Sequence, residues 1–237
     1  MISTRKRVSM LMGLVLGCSV VIATPSYAVP YSWVDWTIAD ATSAAGTVNG
    51  IGVTFSGNLD PAAQTDGTGT DFWATNPATY TGGGVDNGPT PNSDIIRLTG
   101  GGATGLQVLT FAMPVENPVM AILSMGRLDD LVVYDFNAPF NILNQGPGHF
   151  DLAGLGILTK VPGPNGLGGD TLQGLEGHGI IQFPGTFSSI SWNIPDGEFW
   201  HGFTVGIATV PEPASLMLLG AGLAGIGIWR RKATKIG

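Results

Sequence analysis

Two stretches near the end of the chain, Ile190-Ser191-Trp192-Asn193-Ile194 and Phe203-Thr204-Val205-Gly206-Ile207-Ala208, place a large apolar side chain at every second position. A period of two is the mark of a strand with one face on a core, because successive side chains point to opposite sides of a sheet. The same alternation recurs in Ile51, Val53 and Phe55. Val119 to Leu123 and Leu131-Val132-Val133-Tyr134 are apolar throughout, as in strands buried on both faces. Turn residues separate the runs, as in Asp86-Asn87-Gly88-Pro89 and Gly163-Pro164-Asn165-Gly166. Pro114 and Pro118 bracket Val115-Glu116-Asn117, which reads as a turn between two strands. Gly82-Gly83-Gly84 and Gly100-Gly101-Gly102 mark wide loops or bulges. About a dozen short runs without a helical period predict an all-β domain, a single β-sandwich of jelly-roll type. No internal repeat is visible, which disfavours a solenoid or propeller. The least patterned region, Asp60 to Asn92, reads as a long functional loop.

Working outward, the two ends differ in kind from this middle. The chain has 237 residues, 37 of them glycine, and only 11% are charged. Its basic residues gather at the termini: Arg5, Lys6 and Arg7 at one end, and Arg230, Arg231, Lys232 and Lys235 at the other. Between Asp35 and Glu212 all 17 acidic residues face only Arg97, Arg127 and Lys160, a net charge of −14. A body of that charge repels nucleic acid and anionic lipid. Neutral glycans and divalent cations stay compatible with it.

Arg5-Lys6-Arg7, the apolar run Val8 to Ala23, and small residues at Ser26 and Ala28 follow the secretory pattern, with signal-peptidase cleavage predicted after Ala28. The run is short for a spanning helix, which needs ~20 residues. An uncleaved anchor and lipidation at Cys18 within Val15-Leu16-Gly17-Cys18 are the alternatives. Cys18 is the only cysteine, so the cleaved protein has no disulfide and no thiol nucleophile.

At the other end Val210-Pro211-Glu212-Pro213 precedes an apolar stretch from Ala214 to Trp229, and Arg230-Arg231-Lys232 closes it. The prolines keep the first part extended and outside the following helix. The basic cluster stays cytoplasmic by the positive-inside rule and stops transfer. A helix over the apolar stretch covers only about 24 Å at 1.5 Å per residue, less than the ~30 Å hydrocarbon core.

This three-part tail resembles the PEP-CTERM sorting domain. The resemblance implies recognition of Pro211, Glu212 and Pro213 by exosortase, a membrane protease or transpeptidase of Gram-negative bacteria that make exopolysaccharide. It implies a protein held briefly in the inner membrane and then placed at the cell surface or outside the cell. Within the body, Asn117-Pro118-Val119-Met120-Ala121-Ile122 and the run from Trp200 to Gly206 are similar to the ectodomains of some such proteins. The expected organisation is a signal peptide (1–28) and a β-sandwich ectodomain (29–209), followed by the sorting tail with its transmembrane helix (210–237).

The body shows no catalytic constellation. His149, His178 and His201 lack metal-ligand spacing, and no nucleophile elbow, P-loop or dinucleotide fingerprint is present. Glu176 with His178, and Glu198 with His201, read as surface pairs, so no enzymatic activity and no cofactor are expected. Asp66-Gly67-Thr68-Gly69-Thr70-Asp71 resembles half of one β-roll repeat, which makes Asp66 and Asp71 candidate calcium ligands. Trp73, in the Gly-rich region, and Trp200, after the turn Pro195-Asp196-Gly197-Glu198, are the candidate glycan contacts, because an aromatic face offers flat apolar area to a sugar ring. The expected role is a structural or adhesive surface protein of an exopolysaccharide or biofilm matrix. A glycan-binding module on the same architecture is the alternative.

Overall fold

The computed structural model describes residues 28–60, 63–65, 67–90, 94–98 and 105–209. The predicted signal and tail segments lie outside these, including Ser26, Val210, Pro211, Glu212, Pro213, Arg230, Arg231 and Lys232, as does Asp66. The described chain is all-β. Its strands are β1 Tyr31–Trp33, β2 Asp35–Ala39, β3 Ser43–Val48, β4 Ile51–Ser56, β5 Ile96–Leu98, β6 Leu106–Glu116 and β7 Val119–Met125, followed by β8 Val132–Phe136, β9 Asn141–Gln145, β10 Ile157–Asn165, β11 Gly169–Leu175, β12 Gly177–Gln182, β13 Thr186–Asn193 and β14 His201–Ala208. Among the described residues the only helix is a 3₁₀ turn, Pro77–Tyr80, and no helix is long and apolar enough to cross a membrane.

The strands form two antiparallel sheets. The larger has the order β10-β11-β8-β13-β6-β4-β3-β2. The smaller runs β1-β14-β7-β12-β9, with β5 pairing β14 beyond the end of β1. Eight of these strands carry the topology. In chain order, β5, β7, β12 and β14 belong to the smaller sheet and are arranged β5-β14-β7-β12, while β6, β8, β11 and β13 form β6-β13-β8-β11 in the larger. That alternation between sheets is a jelly roll.

The alternating runs point their large residues between the sheets, as the sequence requires. Phe55 of β4, Trp192 of β13 and Phe203 of β14 meet with ring centroids 5.1–5.6 Å apart, and Phe136 of β8 packs on Trp192 and Phe183. Such aromatic pairs add about 0.5–1.5 kcal/mol each beyond the area they bury. The turn before β7 is shorter than expected. Pro114, Val115 and Glu116 continue β6, and Asn117, at φ +48°, makes the reversal.

The apolar run of β7 has its explanation on the other side of the smaller sheet. Met120 and Ile122 face the interior, whereas Val119, Ala121 and Leu123 face outward into a second cluster with Tyr31, Trp33, Trp73, Tyr80, Val85 and Ile95. The described part of segment 57–95 lies over that outer face. The region expected to be a functional loop is therefore chiefly a structural cover.

The two ends of the sandwich differ. At one end the strands join by tight turns, such as Asn49-Gly50 between β3 and β4 and Gly166–Gly168 between β10 and β11. Val29 and Thr209 also lie at this end, with Thr209 N–H donating to Pro30 O at 2.9 Å. The opposite end gathers the long connections 126–131, 146–156 and 194–200. β14 spans the distance between the ends, about 26 Å for its eight residues at ~3.3 Å each.

Candidate functional site

The long connections enclose an open groove of about 500 Å³, lined by Phe72, Arg97, Ser124, Arg127, Phe150, Glu176, Glu198, Phe199 and Trp200. Its walls are aromatic. Phe72, Phe150 and Trp200 pack with centroids 5.1–6.0 Å apart, and Phe199 beside them is 87% exposed. The Arg97 guanidinium sits 5.0 Å over the Trp200 ring and pairs with Asp60 at 3.4 Å.

The floor is polar and strained. Glu176 is the single residue between β11 and β12, where the chain crosses from one sheet to the other, and it adopts φ +51°. Ser124, near the end of β7, sits at φ +52°. Asn49 and Asn117, which also have positive φ, are turn residues that tolerate that region; Ser and Glu are not. The two strained residues are bonded to each other, Ser124 Oγ donating to Glu176 Oε1 at 2.6 Å. Backbone strain of this kind persists where surrounding structure enforces it, and it concentrates at binding and catalytic sites.

Behind each carboxyl group stands a buried histidine. His178 Nδ1 accepts the Ser124 N–H at 3.1 Å, which puts the ring proton on Nε2, 3.5 Å from Glu176 Oε1. His201 Nδ1 lies 3.8 Å from Glu198 Oε1, and the His201 ring packs on Tyr134 at 5.4 Å. Neither histidine is at the surface, so the expectation of two surface pairs is corrected. Gly177 and Gly179 let β12 pass close to Leu158 of β10 and Asn144 of β9, and β14 starts at His201 itself. Both ring nitrogens of His201 and the Tyr134 hydroxyl beside it are buried without a hydrogen-bond partner, and so is His178 Nε2, whose ring lies by Tyr80 of the outer cluster. Unsatisfied buried groups are rare and costly, so the three at His201 and Tyr134 are a cost that packing alone does not call for.

Glu198 is buried, and its Oε1 accepts the Gly126 N–H. Burial pushes its carboxyl up to about 8. The Gly126 hydrogen bond works against that rise, the charges of Glu176 and Asp130 add to it, and Arg127 opposes it. Burial likewise drives the His201 imidazole down to about 3, which keeps it neutral. The Tyr134 hydroxyl is raised, first by burial and then by Glu198.

The predicted contacts fare unequally. Trp200 lines the groove. Trp73 does not: it is 3% exposed, its Nε1 donates to Asp94 O, and its ring meets Tyr80 edge-on. Its place is the second core, because the Gly-rich segment around it folds down on the smaller sheet. Asp71 Oδ1 accepts the N–H groups of Trp73 and Ala74 in a local turn, and among the described residues no group of three or more His, Cys, Asp or Glu is placed to hold a metal ion. Ala28 is exposed, directly before Val29, whose N–H donates to Gly84 O at 2.8 Å. Ser124, Arg97, Arg127 and Phe199 carried no signal in the sequence, since nothing local shows that β5, β7 and two loops converge.

No curated protein and no solved structure matches the chain. A family model does match at the end of the body: residues 209–232 fit the PEP-CTERM protein-sorting motif. It begins at Thr209, where β14 has just ended at the face of the sandwich opposite the groove. The chain thus carries a PEP-CTERM sorting motif, the mark of an exported protein that exosortase sorts to the cell surface.

Proposed function

We propose that this protein is an adhesive component of the exopolysaccharide matrix, holding a glycan in the groove at the far end of its jelly roll. The observation that carries the reading is the makeup of that groove. Exposed aromatic rings stand beside carboxyl and guanidinium groups, the pairing that a sugar's apolar face and hydroxyl rim require. Polarity of the fold supports it. The sorting tail leaves beside Pro30 and Thr209, and the groove opens about 26 Å away, the length of an eight-residue strand. A ligand would then be held clear of whatever retains the tail. In this reading signal peptidase cuts after Ala28, so the mature chain starts at Val29, the first residue paired to the fold. The segment Ala214 to Trp229 holds the protein in the inner membrane until exosortase acts.

Affinity electrophoresis through gels containing the producing cells' own exopolysaccharide tests the proposal. The protein is expected to be retarded, and the pair of changes Phe199→Ala and Trp200→Ala is expected to abolish retardation. A wild-type protein that migrates unhindered would sink it.

A further inference from the structure

We propose that the groove also hydrolyses a glycosidic bond of the glycan it holds, with Glu198 as the acid on the leaving oxygen and Glu176 as the base on water. The inference rests on the carbohydrate reading of the same groove and departs from the expectation of a non-catalytic body. Glycoside hydrolysis needs two carboxyl groups at one sugar linkage, one delivering a proton and the other taking one. Both carboxyl groups line this groove. Each is tied to the same short stretch of chain, Glu176 to Ser124 Oγ and Glu198 to the Gly126 N–H. The Cα atoms of Ser124 and Gly126 are at most about 7 Å apart, and both carboxyl groups line one groove, so a single bound sugar chain can meet both.

Their surroundings give them different tasks. Glu176 Oε1 accepts the Ser124 hydroxyl and lies 3.5 Å from His178 Nε2, on the side of the groove where a water would meet it. Glu198 lies buried against a neutral His201, within the field of Glu176 and Asp130, and keeps its proton at neutral pH. One carboxyl buried with its proton beside another that accepts a hydroxyl hydrogen bond divides the pair into acid and base. His178 and His201 are positioning residues. Their side chains are fully buried, and the nitrogens directed at the carboxyl groups have no hydrogen-bond partner.

In the step itself the C–O bond between the anomeric carbon and the linking oxygen breaks. The Glu198 proton goes to that oxygen and releases one sugar alcohol. Water, relieved of a proton by Glu176, bonds to the anomeric carbon. One water is consumed for each linkage, and proton exchange with solvent through the open groove restores both carboxyl groups. Aromatic walls hold the sugars on either side of the cleaved bond.

The experiment incubates the full chain, in mild detergent, with soluble β-glucan, xylan, galactan and the producing cells' exopolysaccharide, and measures new reducing ends. Release is expected on at least one of them. Glu198→Gln and Glu176→Gln should each lower it by about 100-fold or more, the usual contribution of a general acid or base. Glu116→Gln, on the exposed end of β6 away from the groove, should leave it unchanged. Release should also fall as pH rises through about 8, and that fall should be absent from the residual rate of Glu198→Gln. Thermal unfolding of each variant separates loss of chemistry from loss of fold. Retardation by a polysaccharide with no release of reducing ends would overturn the hydrolytic proposal and leave the binding reading standing. Release undiminished by both glutamine variants would overturn the assignment of these residues. Neither retardation nor release would remove both readings.

Discussion

Replacing Glu198 by Gln should make the protein more stable at neutral and alkaline pH, and the gain should vanish in acid. Burial moves this carboxyl from 4.5 to about 8, so between those values the folded protein holds a proton that the unfolded chain has released. Stability contributed by such a group is fully present below about pH 4.5 and is lost as pH rises through about 8. The groups facing it do not reverse the sign: Glu176 and Asp130 raise it further, Arg127 opposes, His201 stays neutral, and Tyr134 is itself raised. The full displacement would correspond to about 5 kcal/mol at 1.36 kcal/mol per unit. Water in the open groove screens the charge, which reduces the expected effect to about 1–2 kcal/mol. Glutamine keeps an acceptor for the Gly126 N–H and does not titrate. Urea unfolding of the chain ending at Thr209, at pH 5, 6.5 and 8, is the assay. The midpoint of the variant should exceed that of the wild type by about 0.5–1 M at pH 8, for a slope of about 2 kcal/mol per molar, and the two should converge at pH 5. Midpoints that differ equally at all three values would refute the reasoning, because the difference would then owe nothing to the proton.

Trp73→Ala should cost about 3–5 kcal/mol, the range for truncating a buried aromatic, read as a lowered urea midpoint. The same change at exposed Phe199 should stay within about 0.5 kcal/mol. Glu212→Ala, or deletion of 214–237, should shift the protein between cell-envelope and medium fractions of a host that has exosortase, and immunoblotting of those fractions checks it.

The sequence by itself determined the strands and the sorting signal, for the same reason: both are local patterns. Alternation in Ile190-Ser191-Trp192 and in Phe203-Thr204-Val205 assigns a core face without reference to any partner, because side chains along a strand alternate whatever the sheet around them. The tail is legible because Pro211 to Pro213, the apolar stretch and Arg230-Arg231-Lys232 are read in order along the chain, and the family match at 209–232 agrees with that reading. Tertiary structure decided the rest. Strands distant in sequence become neighbours, as when Phe203 pairs with both Ile96 and Ile122. Trp73 and Trp200 read alike as aromatics near turns, and only the folding of the described part of segment 57–95 onto the smaller sheet buries the first and leaves the second at the groove. Glu176 and Glu198 each read as one half of a surface pair, since spacing along the chain says nothing of depth. The crossing of the chain at Glu176 and the start of β14 at His201 carry both histidines inward, and that places two carboxyl groups on the floor of one groove.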